Sequence, residues 1–391
     1  MKDFQYVFED LVRRRDRVIN GKYNCIPFPF PRFRVLFPGI EQGKYIIITA
    51  NQKIGKSKFA DKMFIYDTIF FVKEHPELKV KVLYFTLEMS KKEKYTEFLS
   101  HLLFRLDNII ISPTDLMSTN NQNPIDQKIL DLLQTERYQE YIDLFEQTVI
   151  YYEDIKNPTG INKVCREYAE KHGHYNYVEY ETVDEQGNPI KKKMLDPINP
   201  YEQDDPDEYR IIIQDNAANL TLESGLNLKD TINKMSKYNI TLRKQLKYIV
   251  VLVQHQAQAQ EGIENLKLDR MKPSTDGLAD CKTTGRDANV VIGLYSPFKY
   301  GKRDYEGYDI TRLKNYCRFM EILEDRDYGA NGNICPLFFN GAVSNFEELP
   351  LPTDSAQMQQ VYSYINTLES KKINKIYFLF QKIKHKLKKN G

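Results

Sequence analysis

The sequence has no tryptophan, no paired cysteine motif, no long apolar run and almost no net charge. All but the first of these absences narrow the class of protein. The five cysteines (Cys25, Cys165, Cys281, Cys317, Cys335) are scattered and form no CxxC pair. That excludes a disulfide framework and a cysteine-rich zinc site, and it fits a reducing compartment. No stretch of about 18 uncharged apolar residues occurs, so no membrane-spanning helix is expected. The opening MKDFQYVFEDLVRRRD lacks the apolar core of a secretory signal. A cytoplasmic location with no membrane partner is therefore expected. Lysine and arginine total 56 against 54 acids, a net charge of +2, so any anion-binding surface must be local. The missing tryptophan excludes no function. What is there is an ordinary globular balance: 391 residues, 41% hydrophobic and 28% charged, enough for a large core.

Along the chain, Phe4, Val7, Phe8, Leu11 and Val18 mark a helix over 3–19 that Asn20-Gly21 ends. CIPFPFPRFRVLFPGIEQG is extended or turning because of its prolines. KYIIITA is a short β-branched run, the profile of a buried strand. KSKFADKMFIYDTIFFVKEH has helical length and spacing, and KVKVLYFTLEM is a second buried strand. This β–loop–α–β order predicts an α/β fold with a mostly parallel sheet flanked by helices. Residues 91–147 are expected to be mainly helical, TVIYYED a strand and 159–172 a helix. YRIIIQDNA and YIVVLVQHQ are further buried strands, with a helix near 228–247 between them. ANVVIGLYSP and FMEILED are additional strand candidates. NYVEYETVDEQGNPIKKKML (176–195) alternates around a Gly-Asn-Pro turn and predicts a β-hairpin, followed by an acidic surface loop, DPINPYEQDDPDE. In the tail, Ile373, Ile376, Phe380, Ile383 and Leu387 recur at helical spacing, and eight lysines lie between Lys371 and Lys389. A basic amphipathic helix is expected there, either packed on the core with a solvated lysine face or facing nucleic acid, a partner or a membrane surface.

Four short motifs carry chemistry. The first is ANQKIGKSK: Ala50, Asn51, Gln52, Lys53, Ile54, Gly55, Lys56, Ser57 and Lys58. Between an apolar strand and a helix, such a stretch can wrap backbone N–H groups around a phosphate, with a lysine on the terminal phosphates and a hydroxyl on Mg²⁺. Second, Glu88 follows a buried strand, at the edge where ligands bind in open α/β sheets, and can polarise a water there. Third, Asp215 ends a strand, as a metal-organising carboxylate would. Fourth, Gln254, His255 and Gln256 end another and can sense a γ-phosphate. Each has a bland reading by itself: a strand–helix turn, a surface glutamate, a turn aspartate, a structural histidine. Their order and setting are more specific than any one of them.

Together these motifs resemble the motor domain of DnaB-type replicative helicases, of the hexameric RecA-like superfamily. That family's loop commonly begins with alanine, as in A-R-P-S-M-G-K-T, so Ala50 fits. FTLEM (Phe85–Met89) resembles its F-S-L-E-M. GRDANVV (Gly285–Val291), EDRDYG and FFNGAVSNF are similar to three later family segments. The resemblance spans roughly residues 10–350. It implies a RecA-like P-loop domain over 22–350 with an insertion at about 176–208, a linker helix over 1–21, and a basic tail over 351–391. It implies ATP and Mg²⁺ as cofactors. Lys56 would bind the β- and γ-phosphates, Ser57 and Asp215 the Mg²⁺, and Glu88 would position water. His255 would be the sensor, with Gln254 as the alternative register. Arg326 would be an arginine finger acting on a neighbouring subunit. Single-stranded DNA would thread a homo-hexameric ring, with Lys267, Arg270 and Lys272 as candidate phosphate contacts or, equally, a solvated loop. Primase or other replisome proteins are implied partners. The sequence departs from the family where Glu324 replaces the finger's companion lysine, and in having no counterpart of the N-terminal domain that engages primase. A short divergent chain of this kind suits a bacteriophage. A recombinase-like DNA ATPase and a non-catalytic nucleotide-binding module are the other readings the motifs allow.

Overall fold

The computed structural model describes residues 2–121 and 123–370. The predicted lysine-rich stretch from Lys371 to Lys389 lies outside them.

Helix α1 (Lys2–Ile19) comes first in the chain. After it, the β-branched and aromatic runs become a nine-stranded sheet. We number its strands β1 (Tyr45–Ala50), β2 (Lys79–Thr86), β3 (Val149–Tyr152), β4 (Glu208–Asp215), β5 (Ile249–His255), β6 (Val290–Tyr295), β7 (Cys317–Asp325), β8 (Ile334–Asn340) and β9 (Asn345–Glu348). The spatial order is β9-β8-β7-β6-β1-β5-β4-β2-β3. The six strands from β6 to β3 are parallel, and β7, β8 and β9 add on antiparallel. Residues alternate between faces along each strand. Ile46 and Ile48 of β1 therefore join one core layer, and Tyr45 and Ile47 the other. Helices cover both faces, which is why the central strands are apolar throughout. One layer contains α2 (Lys56–Asp61), a π turn (Lys62–Tyr66), α3 (Asp67–Glu74), α4 (Lys91–Asp107) and α5 (Glu136–Thr148). The other contains α6 (Pro158–Lys171) and α7 (Leu228–Leu246).

The structure adds to the sequence reading in three places. The segment containing FFNGAVSNF forms parts of two antiparallel strands, β8 and the edge strand β9, where only a motif was foreseen. Within the acidic surface loop, Tyr201–Gln203 pairs with Gly173–Tyr175 and buries Tyr201, whose hydroxyl donates to Ala169 O at 2.8 Å. Three residues are too few to show a periodicity. The proline-rich segment, while irregular, is not superficial: Phe28, Phe30, Phe33 and Phe37 are all buried, with Phe28 stacked on Phe37 at 4.8 Å.

The expected hairpin forms between Tyr177–Val183 and Pro189–Leu195. Helix α1 is held by Arg14 to Glu41 and by Arg17 to Asp207. Its apolar stripe stays uncovered in a single copy, with Phe4 71% and Leu11 60% exposed. Residues 355–370 form a helix that buries Met358, Tyr362, Ile365 and Leu368. No described helix is long and apolar enough to cross a membrane.

Candidate nucleotide site

Sheet order brings the motifs together. Ala50 at the end of β1 is level with His255 at the end of β5, and Asp215 at the end of β4 is level with Val253 and Thr86. The loop from Ala50 to Ser57 turns out of this carboxyl edge into α2. Gly55 takes φ +107° and ψ 30°, a left-handed conformation that side-chain-bearing residues rarely adopt. A Cβ there would lie 3.3 Å from the Phe339 ring.

Cations hold the loop's carbonyls. Lys56 Nζ donates to Ala50 O and Asn51 O, both at 3.2 Å. Lys299 Nζ donates to Gln52 O at 2.9 Å, and Arg318 Nε to Ile54 O at 2.7 Å. Burial pulls the Lys56 ammonium down to about 8, against the opposing pull of Asp215 and Glu88. Gln52 and Lys53 are exposed. The Lys58 ammonium turns away to Glu97 at 2.6 Å and Ser344 at 3.2 Å, so what it can offer a ligand is its main chain.

Ser57 Oγ donates to Asp215 Oδ1 at 2.9 Å. A hydroxyl and a carboxylate in contact are the oxygen donors a hard cation prefers, with water and phosphate supplying the rest. Among the described residues no group of three or more His, Cys, Asp or Glu could hold a metal unaided, in keeping with such a shared site. Asp215 Oδ2 accepts from Tyr84 OH at 3.0 Å and from Lys94 Nζ at 3.3 Å. Lys94 also meets Asp61 at 2.8 Å and Glu97 at 3.9 Å. Burial alone would lower its pKa, but these carboxylates hold it well above the ordinary lysine value. The peptide between Asp215 and Asn216 is cis. Asn216 Nδ2 donates to Glu88 Oε2 at 2.7 Å, fixing an otherwise exposed carboxylate beside the site.

The strand-end trio separates cleanly. Gln254 is fully engaged, donating to Ala279 O and Cys281 O and accepting from Thr284 Oγ1. Gln256 bonds Thr49 Oγ1 and Ser274. His255 keeps a buried Nδ1 without a hydrogen-bond partner. Burial, then the Lys56 charge, pushes it down to about 4, so its ring is neutral at pH 7.

Lys267, Arg270 and Lys272 are exposed on the segment after β5, with Lys272 4.8 Å above the Tyr305 ring. That segment is tied back to the phosphate loop. Asn51 Nδ2 donates to Met271 O at 3.0 Å and to Tyr300 OH at 2.7 Å, and Tyr300 OH donates to Glu261 at 2.8 Å.

Arg326 does not join the group. Because β7 runs antiparallel, its end at Asp325 is level with Val290, the start of β6, at the opposite edge of the sheet. Arg326 is exposed there and donates to Arg286 O. Glu324 lies two residues before it on the same strand.

Sequence reading missed Lys94, Asp61, Asn216, Tyr300 and Arg318. Arg318 had a legible signal: it shares a strand face with Met320 and Ile322, where a charge is out of place. The others sit on helices or loops whose approach to the site only folding determines.

No family's sequence profile matches this chain, and no characterised protein matches it by sequence. Solved structures do match. One is a DnaB-like replicative helicase described with its interactions with primase. It aligns over 87% of this chain at 15% identity with a TM-score of 0.58, and this chain spans 66% of it, just under two thirds. Another is a separately solved ATPase domain, aligned over 88% of this chain and 99% of its own, at 14% identity and a TM-score of 0.59. The chain has the fold of a DnaB-like helicase ATPase domain. The mostly parallel sheet with helices on both faces agrees with that fold.

Proposed function

We propose that this chain is an ATP-driven motor of the DnaB-like kind, which moves along single-stranded DNA as a ring of identical subunits. One observation carries the reading: the phosphate loop, Ser57, Asp215 and Glu88 meet at one edge of the sheet, while Arg326 lies exposed at the other. A guanidinium so placed cannot reach its own chain's loop. It can complete the site of an adjacent copy.

In this reading Lys56 releases the Ala50 and Asn51 carbonyls to grip the β- and γ-phosphates, and the loop's N–H groups hold the rest. Ser57 and Asp215 would hold Mg²⁺, which would neutralise charge on the phosphates. Glu88, oriented by Asn216, positions a water for attack on the γ-phosphate, and His255 turns its open nitrogen toward that phosphate. The neighbour's Arg326 stabilises charge in the transition state. The Asn51–Tyr300–Glu261 chain would pass the state of the loop to Lys267, Arg270 and Lys272, which hold the DNA backbone. The uncovered stripe of α1 suits docking on the adjacent subunit, and primase is a candidate partner.

The test is ATP turnover with and without single-stranded DNA, unwinding of a forked duplex, and particle mass with ATP. DNA-stimulated turnover, unwinding and a ring mass support the reading. A filament that pairs strands without unwinding would redirect it to a recombinase, and absence of turnover to a nucleotide-binding module.

A further inference from the structure

Arg318 opens β7 at the edge that carries the phosphate loop, and it is only 2% exposed. Its donors are used: Nε on Ile54 O at 2.7 Å; Nη1 on Cys317 O at 2.7 Å, Asn315 O at 3.1 Å and Ser296 Oγ at 3.2 Å; Nη2 on Asn315 Oδ1 at 3.1 Å. Its flat face lies 4.3 Å from the Phe339 ring centre, the same ring that Gly55 abuts. None of these partners is a carboxylate. Burial draws its pKa down to about 10, which leaves it cationic at neutral pH.

A buried cation without a counter-ion is costly and persists where something else compensates it. Here five hydrogen bonds and the Phe339 ring do so in part, and two consequences follow for the loop. In a trans peptide the C=O and the following N–H point in opposite directions. Pinning Ile54 C=O from behind therefore turns the Gly55 N–H to the other side, into the loop. The charge itself stays unpaired beside a cradle shaped for an anion.

We propose that Arg318 is a positioning residue of the phosphate loop: it fixes the Ile54–Gly55 peptide with its N–H facing the ligand, and lends a positive charge that the ligand's phosphates neutralise. This rests on the nucleotide-binding reading. It differs from the roles of Lys56 and Arg326 in that Arg318 touches neither substrate nor reacting atoms.

The experiment measures binding of ATP, ADP and AMP to wild type, Arg318→Gln and Arg318→Lys at several salt concentrations, with melting of each unliganded variant as a check on folding. Arg318→Gln is expected to weaken ATP on the order of tenfold, ADP less and AMP least, and to flatten the salt dependence. Arg318→Lys keeps the charge but loses the fork, so its salt dependence should match wild type while ATP binds more weakly. Equal losses for all three nucleotides, or an unchanged ATP affinity in Arg318→Gln, would overturn the proposal. If Arg318→Gln does not fold, Arg318→Lys decides: an unmoved ATP affinity overturns the positioning role. Wild type that binds no nucleotide at all would instead sink the underlying reading, a result separable from these.

Discussion

Lys94 and Arg318 are both almost wholly buried, and both lie behind the phosphate loop, yet their charges are handled in opposite ways. Lys94 sits among Asp61, Asp215 and Glu97. Arg318 has no carboxylate partner among the described residues, and neither has Lys56. The paired cation locks elements together: it joins α4 to α2 and steadies the oxygen of Asp215 that Ser57 does not use. In the proposed reading, the cations without a carboxylate partner among the described residues leave a positive potential that a phosphate ligand would neutralise. Arg326, unpaired and exposed at the far edge, extends the second class to the surface where another copy would sit.

The largest expected effect concerns that surface. Arg326→Ala should cut ATP turnover by about 10³–10⁵ while leaving ATP binding largely intact. Steady-state turnover beside equilibrium binding checks it, and unaltered turnover would remove Arg326 from the unpaired, ligand-directed class. Next, Lys94→Met leaves Asp61 and Asp215 uncompensated in the interior, and should lower unfolding free energy by about 3–5 kcal/mol in urea titrations. Adding Asp61→Leu should restore part of that loss. If Lys94→Met were neutral in stability, the contrast between locking and open cations would dissolve.

The third effect is on pH. Burial lowers the Lys56 pKa to about 8, and its charged form is the one that binds an anion. ATP affinity should be level below pH 8 and fall by up to about tenfold per unit above it. Lys56→Arg should bind more weakly but lose this dependence. The smallest effect concerns a buried base that solves the problem a third way, by staying neutral. His101 lies against Val343 O at 2.9 Å with an unpartnered Nε2, and burial, then Lys62, pushes its pKa well below the usual value. The unfolded chain takes up the proton first, so stability should be full above about pH 6.5 and decline as pH falls below it. His101→Gln should soften that decline in melting curves.

Much of the site was legible because its signals are local. A strand, a small-residue loop, Gly55-Lys56-Ser57 and a helix follow one another within a few residues, and a glycine at positive φ leaves a mark in the sequence. Glu88, Asp215 and His255 each end a buried strand, and parallel strands end at a common edge. The strands β8 and β9 were not legible, since β9 is only four residues long and Gly341 to Ser344 between them carry no strong hairpin signal. Nor was the engagement of Gln254, whose groups are taken up by Ala279, Cys281 and Thr284.

The sequence by itself determined the elements, the α/β class and the phosphate loop, because those depend on side-chain periodicity and on backbone freedom at a few residues. Only the tertiary structure decided which charges are compensated and on which edge each lies. The antiparallel run of β7 sets Arg318, near its start, behind the loop and Arg326, one residue past its end, at the opposite edge, eight residues further along the chain. Charge compensation depends on distance in space, and spacing along a chain does not encode it.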